Sequence, residues 1–179
     1  MAEHDFEEKI KKADAGSFVI EPCEVLTGGM DKNRFLLYQL QLGMIQAERI
    51  DIIVSFLMES GVRLILDDLE QALKRGAKIR ILTGNYLGIT QPGALYLIKD
   101  SLGDQVDLRF YNEKERSFHP KAYILHQKDR GEIYIGSSNL SRSALTSGIE
   151  WNYHFDDSRD GENFRQFCRT FEELFCDHS

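Results

Sequence analysis

Apolar residues recur along the chain at two spacings, one typical of helices and the other typical of buried strands. An apolar residue every three or four positions predicts amphipathic helices. This spacing covers residues 31–49 behind a capping Asp31, 60–75, a segment opened by Pro92, a short stretch at 141–146, and 160–176. Compact runs rich in β-branched residues predict buried strands. Such runs cover residues 50–57, 78–83, 106–111, 121–126, 132–137 and 149–155, after an extended stretch at 18–26.

The order of these elements predicts how the sheet is arranged. The first three strands alternate with helices, which favours parallel strands joined by right-handed crossovers. The next two strands are separated only by polar residues 127–131, which predicts a hairpin. We therefore predict an α/β fold with a mixed, mainly parallel central sheet flanked by helices. No repeat or Pro-rich linker divides the sequence, so we expect a single domain over residues 1–179, with an N-terminal extension at 1–30 and a core at 31–176.

Composition and charge narrow the class of protein. The length of 179 residues fits one domain that buries a core without disulfides. The three cysteines form no CxxC pair, which argues against a disulfide scaffold or a cysteine zinc site. The formal net charge of −7 argues against a simple basic nucleic-acid binder or a polybasic membrane protein, although a local basic cleft is compatible with it. No apolar run approaches the ~18 residues of a membrane span, and the acidic N-terminus is no signal peptide, so we expect a cytoplasmic protein.

The densest cluster of reactive residue types begins at His119. Pro120 disfavours helical backbone at the residue before it, so this segment is expected to be extended. In an extended chain residues i and i+2 share a face, which places the His119 imidazole beside the Lys121 ammonium. The cation favours the neutral, nucleophilic imidazole by lowering its pKa from about 6.5. Lys121 also offers a compact positive charge to a phosphate.

Two further groups follow along the chain. Gly-Ser-Ser-Asn at residues 136–139 lies between a strand and a short helical stretch, where backbone N–H groups and side-chain donors can face an anion. Glu150 opens the last strand and can orient a histidine by accepting its ring N–H. The candidate catalytic residues are therefore His119, Lys121, Ser137, Asn139 and Glu150. This set suits phosphoryl transfer through a covalent phosphohistidine with no metal required, and we assign neither a metal site nor a cofactor.

Each feature by itself also has an ordinary explanation. A His-x-Lys pair is common, a Gly-Ser-Ser-Asn run is most often a turn with a helix cap, and Glu150 alone is typical of a solvated strand. Their conjunction at strand ends favours a shared site. The loop at residues 83–90 either lines that site or is a plain connection. Residues 112–130, with five basic and three acidic side chains, form the best candidate segment for nucleic-acid contact.

The spacing of these residues resembles a known motif. His119-x-Lys121, Gly136-Ser137-x-Asn139 and Glu150 resemble the HKD motif of the phospholipase D superfamily, most closely its nuclease and restriction-endonuclease branch, which carries one motif per chain. Residues 50–56, 83–90 and 148–152 are similar to the phospholipase D-like domain at the front of bacterial restriction-type helicases. The resemblance implies a phospholipase D-like fold and a DNA endonuclease of a restriction or defence system, with DNA and helicase domains as partners.

One position departs from the family pattern. His-x-Lys-x4-Asp would place an aspartate at residue 126, where this chain has His126. In the family that aspartate is mainly structural and several nuclease-branch members lack it, so its loss is compatible with activity. Family members with two motifs supply two catalytic histidines from one chain. With a single motif here, we expect a homodimer that shares one active site on its two-fold axis.

Two other functions stay open on the sequence alone. The first is a catalytically weak DNA-binding or dimerisation module of a helicase-nuclease, which His126 and the acidic net charge favour slightly. The second is lipid phosphodiester transfer, which the lack of a predicted membrane segment disfavours.

Overall fold

A single seven-stranded sheet organises the chain. The computed structural model describes residues 24–28, 34–113 and 115–177. In chain order the elements are β1 (Val25–Leu26), α1 (Leu36–Met44), β2 (Arg49–Val54), α2 (Glu59–Lys74), β3 (Lys78–Gly84), α3 (Pro92–Leu102), β4 (Val106–Tyr111), β5 (Lys121–His126), β6 (Gly131–Gly136), α4 (Arg142–Thr146), β7 (Asn152–Asp156) and α5 (Gly161–Asp177). Short 3-10 turns at Tyr86–Gly88 and Gly103–Gln105 precede α3 and β4. No helix among the described residues is long and apolar enough to cross a membrane.

The strand order corrects one prediction. The order is β1-β7-β6-β5-β2-β3-β4, and only the β2–β3 and β3–β4 pairs are parallel. The other four pairs are antiparallel, so the prediction of a mainly parallel sheet is wrong. Parallel neighbours need a crossover of about a dozen or more residues, whereas the β4–β5 connection at 112–120 has no helix in its described part. Strand β5 instead pairs with the open edge of β2 in the antiparallel sense, and the predicted β5–β6 hairpin is confirmed.

Each face of the sheet carries its own apolar core. Alternating residues of the central strands, including Ile50 and Ile52, pack beneath α1, α2, α3 and α4. The residues of opposite parity, including Ile53 and Ile124, pack beneath α5. The α5 side is mainly aromatic, with Phe164, Phe171 and Phe175 from the helix. Because both faces are covered, β2, β3 and β5 are nearly continuous apolar runs, as the sequence suggested.

Several element boundaries differ from the predicted ones. The helix predicted at 31–49 forms only at Leu36–Met44, because Phe35 has extended backbone and the chain turns before β2. The predicted cap Asp31 and residues 18–23 of the extended stretch lie outside the described residues, and β1 is limited to Val25–Leu26. The strand predicted at 50–57 ends at Val54. Residues after it form a turn that contacts other loops, which matters for the site.

The register brings several connecting segments to one end of the sheet. Val54, at the carboxyl end of β2, pairs with Lys121, at the amino end of β5. Gly136, at the carboxyl end of β6, pairs with Asn152, at the amino end of β7. The segments after β2, β3 and β6 therefore meet the segments before β5 and β7. All five candidate catalytic residues lie at this end.

Candidate active site

His119 and Lys121 form the centre of the site. The Lys121 Nζ atom lies 2.8 Å from Nδ1 and 2.9 Å from Nε2 of the His119 ring. The same ammonium donates a hydrogen bond of 3.0 Å to the His119 carbonyl oxygen. The i,i+2 contact expected from the sequence is thus present, with an exposed imidazole beside a buried lysine stem.

Phe118 anchors the segment that carries these two residues. Its buried ring stacks on Tyr111 with ring centroids 4.4 Å apart. It also lies against the backbone of Gly84, where an added Cβ would come within 2.9 Å of the Phe118 ring. The glycine at the end of β3 therefore leaves the space that Phe118 fills. This packing fixes the backbone immediately before His119.

The surroundings favour a neutral imidazole at His119. Partial burial lowers the pKa of His119, and the positive charge of Lys121 lowers it further. Burial also lowers the pKa of the Lys121 ammonium, while the Glu150 carboxylate acts in the opposite direction and favours its charged form. The geometry thus offers a neutral imidazole next to a cation, an arrangement that suits nucleophilic attack on an anionic group.

Asn139 reaches the same end of the sheet through the loop that follows β6. Its Oδ1 accepts a hydrogen bond of 3.3 Å from the Phe56 N–H. The neighbouring backbone is tied down because Leu57 and Leu140 form a parallel bridge and Met58 donates to the Leu140 carbonyl at 3.0 Å. Among the described residues the Asn139 amide nitrogen has no hydrogen-bond partner, so its N–H groups remain available to an anion.

Ser137 and Glu150 contact each other at the rim of the site. The Ser137 hydroxyl donates to a Glu150 carboxylate oxygen and accepts a hydrogen bond of 3.0 Å from the Trp151 N–H. Among the described residues of one chain, no hydrogen bond joins the Glu150 carboxylate to the His119 ring. The expected histidine-orienting contact is therefore replaced by a contact with serine.

The loop after β3 contributes a residue that the sequence did not single out. Tyr86 packs against His119, with ring centroids 4.4 Å apart and an interplanar angle of 50°. The sequence left open whether the loop at 83–90 lined the site or merely connected two elements, and the structure places it at the site. The position of Tyr86 directly after a parallel strand was the available signal.

A buried polar group supports the turn after β6. Asn152 Nδ2 donates to the Ser138 hydroxyl at 2.9 Å, and the Tyr123 hydroxyl donates to the Ser138 carbonyl at 3.2 Å. Ser141 caps α4 by accepting from the Ala144 N–H at 3.3 Å. These contacts hold the backbone of the turn that carries Ser137 and Asn139. Asn152 and Ser138 lie within the sequence motifs, but the sequence alone indicated no role for either residue.

Comparison with known proteins assigns this chain to a family. The sequence profile of the family described as cardiolipin synthase, PLD-like domain, matches residues 42–175. The chain belongs to this PLD-like family. The superfamily expected from the motif is thereby confirmed, and phosphodiesterase-type activity is supported at the level of that superfamily. A search of curated proteins finds no match to this PLD-like chain.

Solved structures share the fold of this PLD-like chain at low sequence identity. Nuc from Salmonella typhimurium, a phospholipase D family member, superposes with a TM-score of 0.61 at 17% identity, over 78% of this chain and 86% of that one. NucT from Helicobacter pylori gives a TM-score of 0.59 at 17% identity over the same shares. TrmBL2, an archaeal chromatin protein, gives 0.54 at 18% identity, over 99% of this chain and 63% of that one. At these identities the likeness establishes the fold.

His126 lies at the opposite end of β5 from the site of this PLD-like chain. Its Nε2 lies 3.1 Å from an Asp51 carboxylate oxygen and 2.8 Å from the Arg49 guanidinium. Asp51 is almost fully buried and also accepts two hydrogen bonds, of 2.7 and 2.9 Å, from Arg80. His126 is therefore part of a polar network with Asp51 and Arg49 of the neighbouring strand.

The basic segment at 112–130 does not form one surface. Lys121 lies at the site, whereas the turn holding Lys128 and Arg130 lies at the far end of the β5–β6 hairpin. Arg130 forms an ion pair of 3.0 Å with Asp156. Lys121 is the basic residue of this segment whose contact with His119 the structure shows. No group of three potential metal ligands occurs in the described part of the chain.

Proposed function

We propose that this PLD-like chain is a metal-independent phosphodiesterase acting on DNA, with His119 as the nucleophile. The observation that carries this proposal is the Lys121 ammonium at 2.8 and 2.9 Å from the two ring nitrogens of an exposed His119. Such a cation favours the neutral imidazole and attracts the phosphate to the nitrogen that attacks it. The resemblance to the nuclease branch supports DNA as the substrate.

The proposed reaction has two displacements. In the first, a neutral ring nitrogen of His119 attacks phosphorus, an N–P bond forms, and the P–O bond to the leaving group breaks. The leaving oxygen takes a proton from a general acid. In the second, water attacks the phosphohistidine, its proton passes to the group that served as the acid, and the N–P bond breaks. His119 is regenerated and a phosphate monoester is released.

The other candidate residues stabilise charge in this scheme. Lys121 and the amide N–H groups of Asn139 face the phosphoryl oxygens, where negative charge accumulates in the transition state. Because the Glu150 carboxylate raises the pKa of Lys121 against the effect of burial, we assign Glu150 the role of keeping that lysine protonated. Ser137 fixes the Glu150 carboxylate through its hydroxyl.

A homodimer would supply the missing general acid. The sequence holds two His-x-Lys pairs, at His119 and at His126, but His126 lies at the far end of β5, so one chain brings a single such histidine to the site. The mechanism needs a nucleophile and an acid on opposite sides of the phosphorus. Two chains that met at this end of the sheet would each contribute one His119. Ile149 and Trp151, which flank Glu150, are 90% and 73% exposed, and a contact between subunits would cover these apolar side chains.

Trapping of the covalent intermediate tests the nucleophile. The chain is incubated in EDTA with DNA labelled at its phosphates and is then denatured in alkali, which preserves phosphohistidine. We expect label on the wild type and on His126→Asn, and none on His119→Asn. Cleavage that persists in His119→Asn, or that stops when EDTA is added, would contradict the proposal.

Subunit mixing tests the shared site. Wild type and His119→Asn are mixed at several ratios and allowed to exchange subunits, and cleavage is measured at constant total protein. If each site needs two copies of His119, activity follows the square of the wild-type fraction. A linear dependence, or a monomer in sedimentation equilibrium at full activity, would show that each chain works alone.

DNA binding without efficient cleavage is the second candidate function. TrmBL2, a chromatin protein whose structure shows a mode of DNA binding, shares this fold over 99% of the chain. This alternative predicts that His119→Asn binds DNA as well as the wild type does and that the wild type forms no phosphohistidine.

A lipid substrate, suggested by the cardiolipin synthase family description, predicts label transfer from a phospholipid and none from DNA.

We also propose that the chain serves a restriction or defence helicase. This proposal rests on the sequence resemblance of residues 50–56, 83–90 and 148–152 to such domains. We expect the tagged chain to co-purify with a helicase from its own cells. A helicase that is a separate protein should be removed by mild salt, whereas helicase domains fused covalently to the chain should be retained. Recovery of the chain without any helicase would contradict it.

A further inference from the structure

The 3-10 turn after β3 places an aromatic ring in contact with His119, the candidate nucleophile. Tyr86 opens this turn, and its ring centroid lies 4.4 Å from that of His119. Lys121 contacts the same imidazole through its ring nitrogens. Tyr86 and Lys121 thus both restrict the His119 side chain, although the imidazole itself is exposed.

The backbone of this turn has an unfavourable conformation. Leu87 has φ 52° and ψ 22°, which is the left-handed region, and among the described residues it is the only one other than glycine with positive φ. For a residue with a Cβ this conformation is unfavourable, because the Cβ comes too close to the following carbonyl oxygen. The Leu87 side chain is 79% exposed, so burial of that side chain does not offset the cost.

Contacts on both sides keep the turn in place. Thr90 donates its hydroxyl hydrogen to the Gly84 carbonyl and accepts from the Leu57 N–H at 3.4 Å. Gln91 N–H donates to the Leu57 carbonyl at 2.9 Å. The turn is therefore hydrogen-bonded to the segment after β2. The same segment contacts Asn139, because the Phe56 N–H donates to Asn139 Oδ1. Backbone strain maintained by surrounding contacts is typical of functional sites.

We propose that Tyr86 is a positioning residue, whose ring fixes the orientation of the His119 imidazole beside Lys121 and shields one of its faces from water. This inference rests on the proposed role of His119 as the nucleophile. Misplacement of a reacting group by about 1 Å can cost roughly 100-fold in rate. Contact with the flat Tyr86 ring keeps the imidazole in one orientation and so favours its attack on phosphorus. The shielding agrees with burial as the larger cause of the lowered His119 pKa.

Titration of His119 by NMR tests the inference without any need for activity. The His119 signals are assigned by their loss in His119→Asn. Among the described residues, the charged groups that act on the ring and on its neighbour are Lys121 and, beyond it, Glu150, and both are retained in every variant. We expect Tyr86→Ala to raise the pKa of His119 towards the ordinary value near 6.5 and to remove the ring-current shift of its signals. Tyr86→Phe should leave both unchanged.

Kinetics then separate positioning from substrate binding. In Tyr86→Ala we expect kcat to fall about 10- to 100-fold with a nearly unchanged KM, and the acid limb of the pH–rate profile to move to higher pH. Tyr96→Ala is the matched control, because Tyr96 lies on the following helix and is 67% exposed. That variant should match the wild type in both measurements.

Two substitutions at Leu87 test the role of the turn itself. Leu87→Gly tolerates positive φ, so it should keep the Tyr86 contact and wild-type activity. Leu87→Val is β-branched and disfavours this conformation, so it should shift the His119 signals in the same direction as Tyr86→Ala.

Three results would overturn the inference. These are an unchanged His119 titration in Tyr86→Ala, equal damage from Tyr86→Phe, or a rise in KM with kcat unaltered. If the wild type cleaves no phosphodiester but the titration still changes as expected, the proposed function fails while the Tyr86 contact stands.

Discussion

Two histidines at opposite ends of the same strand have opposite surroundings. His119, just before β5, is exposed and lies beside the ammonium of Lys121, 2.8 Å away. His126, at the end of β5, packs under α5 and lies 3.1 Å from the carboxylate of Asp51. A neighbouring cation favours a neutral, nucleophilic ring, whereas a buried carboxylate ties the ring into a structural network.

The two regions also differ in how their polar groups are satisfied. Around His126 the charges are paired, since Arg80 bridges Asp51 and Glu172 with four hydrogen bonds of 2.7–2.9 Å. Although burial raises the pKa of Asp51, the hydrogen bonds from His126 and Arg80 bring it below its usual value. At the other end, the described residues leave the Asn139 amide N–H groups without a partner. Donors without a partner are suited to a ligand, and fully paired charges are suited to holding a helix on a sheet.

Replacement of each histidine in turn tests the difference between the two regions most directly. His119→Asn should lower the turnover rate by about 1,000-fold or more, since removal of a nucleophile costs several orders of magnitude. Its melting temperature should stay close to that of the wild type because the side chain is exposed. His126→Asn should keep nearly full activity per folded molecule. Equal loss of activity in the two variants would mean that the site is misassigned.

Removal of the buried carboxylate should affect stability rather than chemistry. Asp51→Asn leaves Arg80 and Arg49 without their shared partner, and loss of one member of a buried ion pair costs about 3–5 kcal/mol. Urea unfolding measures this loss. Asp107→Asn is the control, because its ion pair with Arg109 lies at the surface and is worth about 0–1 kcal/mol. Similar losses in both variants would contradict the structural role assigned to the Asp51 network.

The charge-stabilising groups should have an intermediate effect on rate. Lys121→Ala and Asn139→Ala should each reduce kcat by about 100-fold, the usual cost of removing one transition-state donor. Circular dichroism should report an intact fold. Because Asn139 Oδ1 also accepts from the Phe56 N–H, Asn139→Asp keeps that acceptor but replaces the amide donor with a negative charge, so its loss of rate should be at least as large. Wild-type rates in Asn139→Asp would remove Asn139 from the catalytic set.

The pH dependence of cleavage should show the smallest and most specific effect. The lowered pKa of His119, due to burial and then to Lys121, keeps the ring neutral below the ordinary histidine range, so the wild-type rate should fall only below about pH 6.5. Lys121→Met removes the charge, raises that pKa, and should move the acid limb of its residual activity to higher pH. His126→Asn should not move it. An unshifted limb in Lys121→Met would separate the titrating group from His119.

Local patterns accounted for much of the fold and part of the site. The apolar runs predicted six of the seven strands at nearly their observed positions, because burial on both faces selects continuous β-branched segments. The His119–Lys121 contact followed from the i,i+2 geometry of an extended chain, which depends on neighbouring residues alone. The family followed from the spacing of short motifs. Each of these signals is contained within a few consecutive residues.

The tertiary structure decided what depends on residues far apart in the chain. The antiparallel entry of β5 beside β2 was not foreseen, because the choice of sheet edge is set by pairing between distant strands. That pairing places Val54 opposite Lys121 and so brings the Phe56 segment to Asn139. The Tyr86 contact with His119, the Ser137 contact of Glu150 and the Asp51 partner of His126 likewise arise only when separate loops and strands meet. The sequence alone thus determined which residue types are available for the proposed chemistry, and long-range packing determined which of them touch.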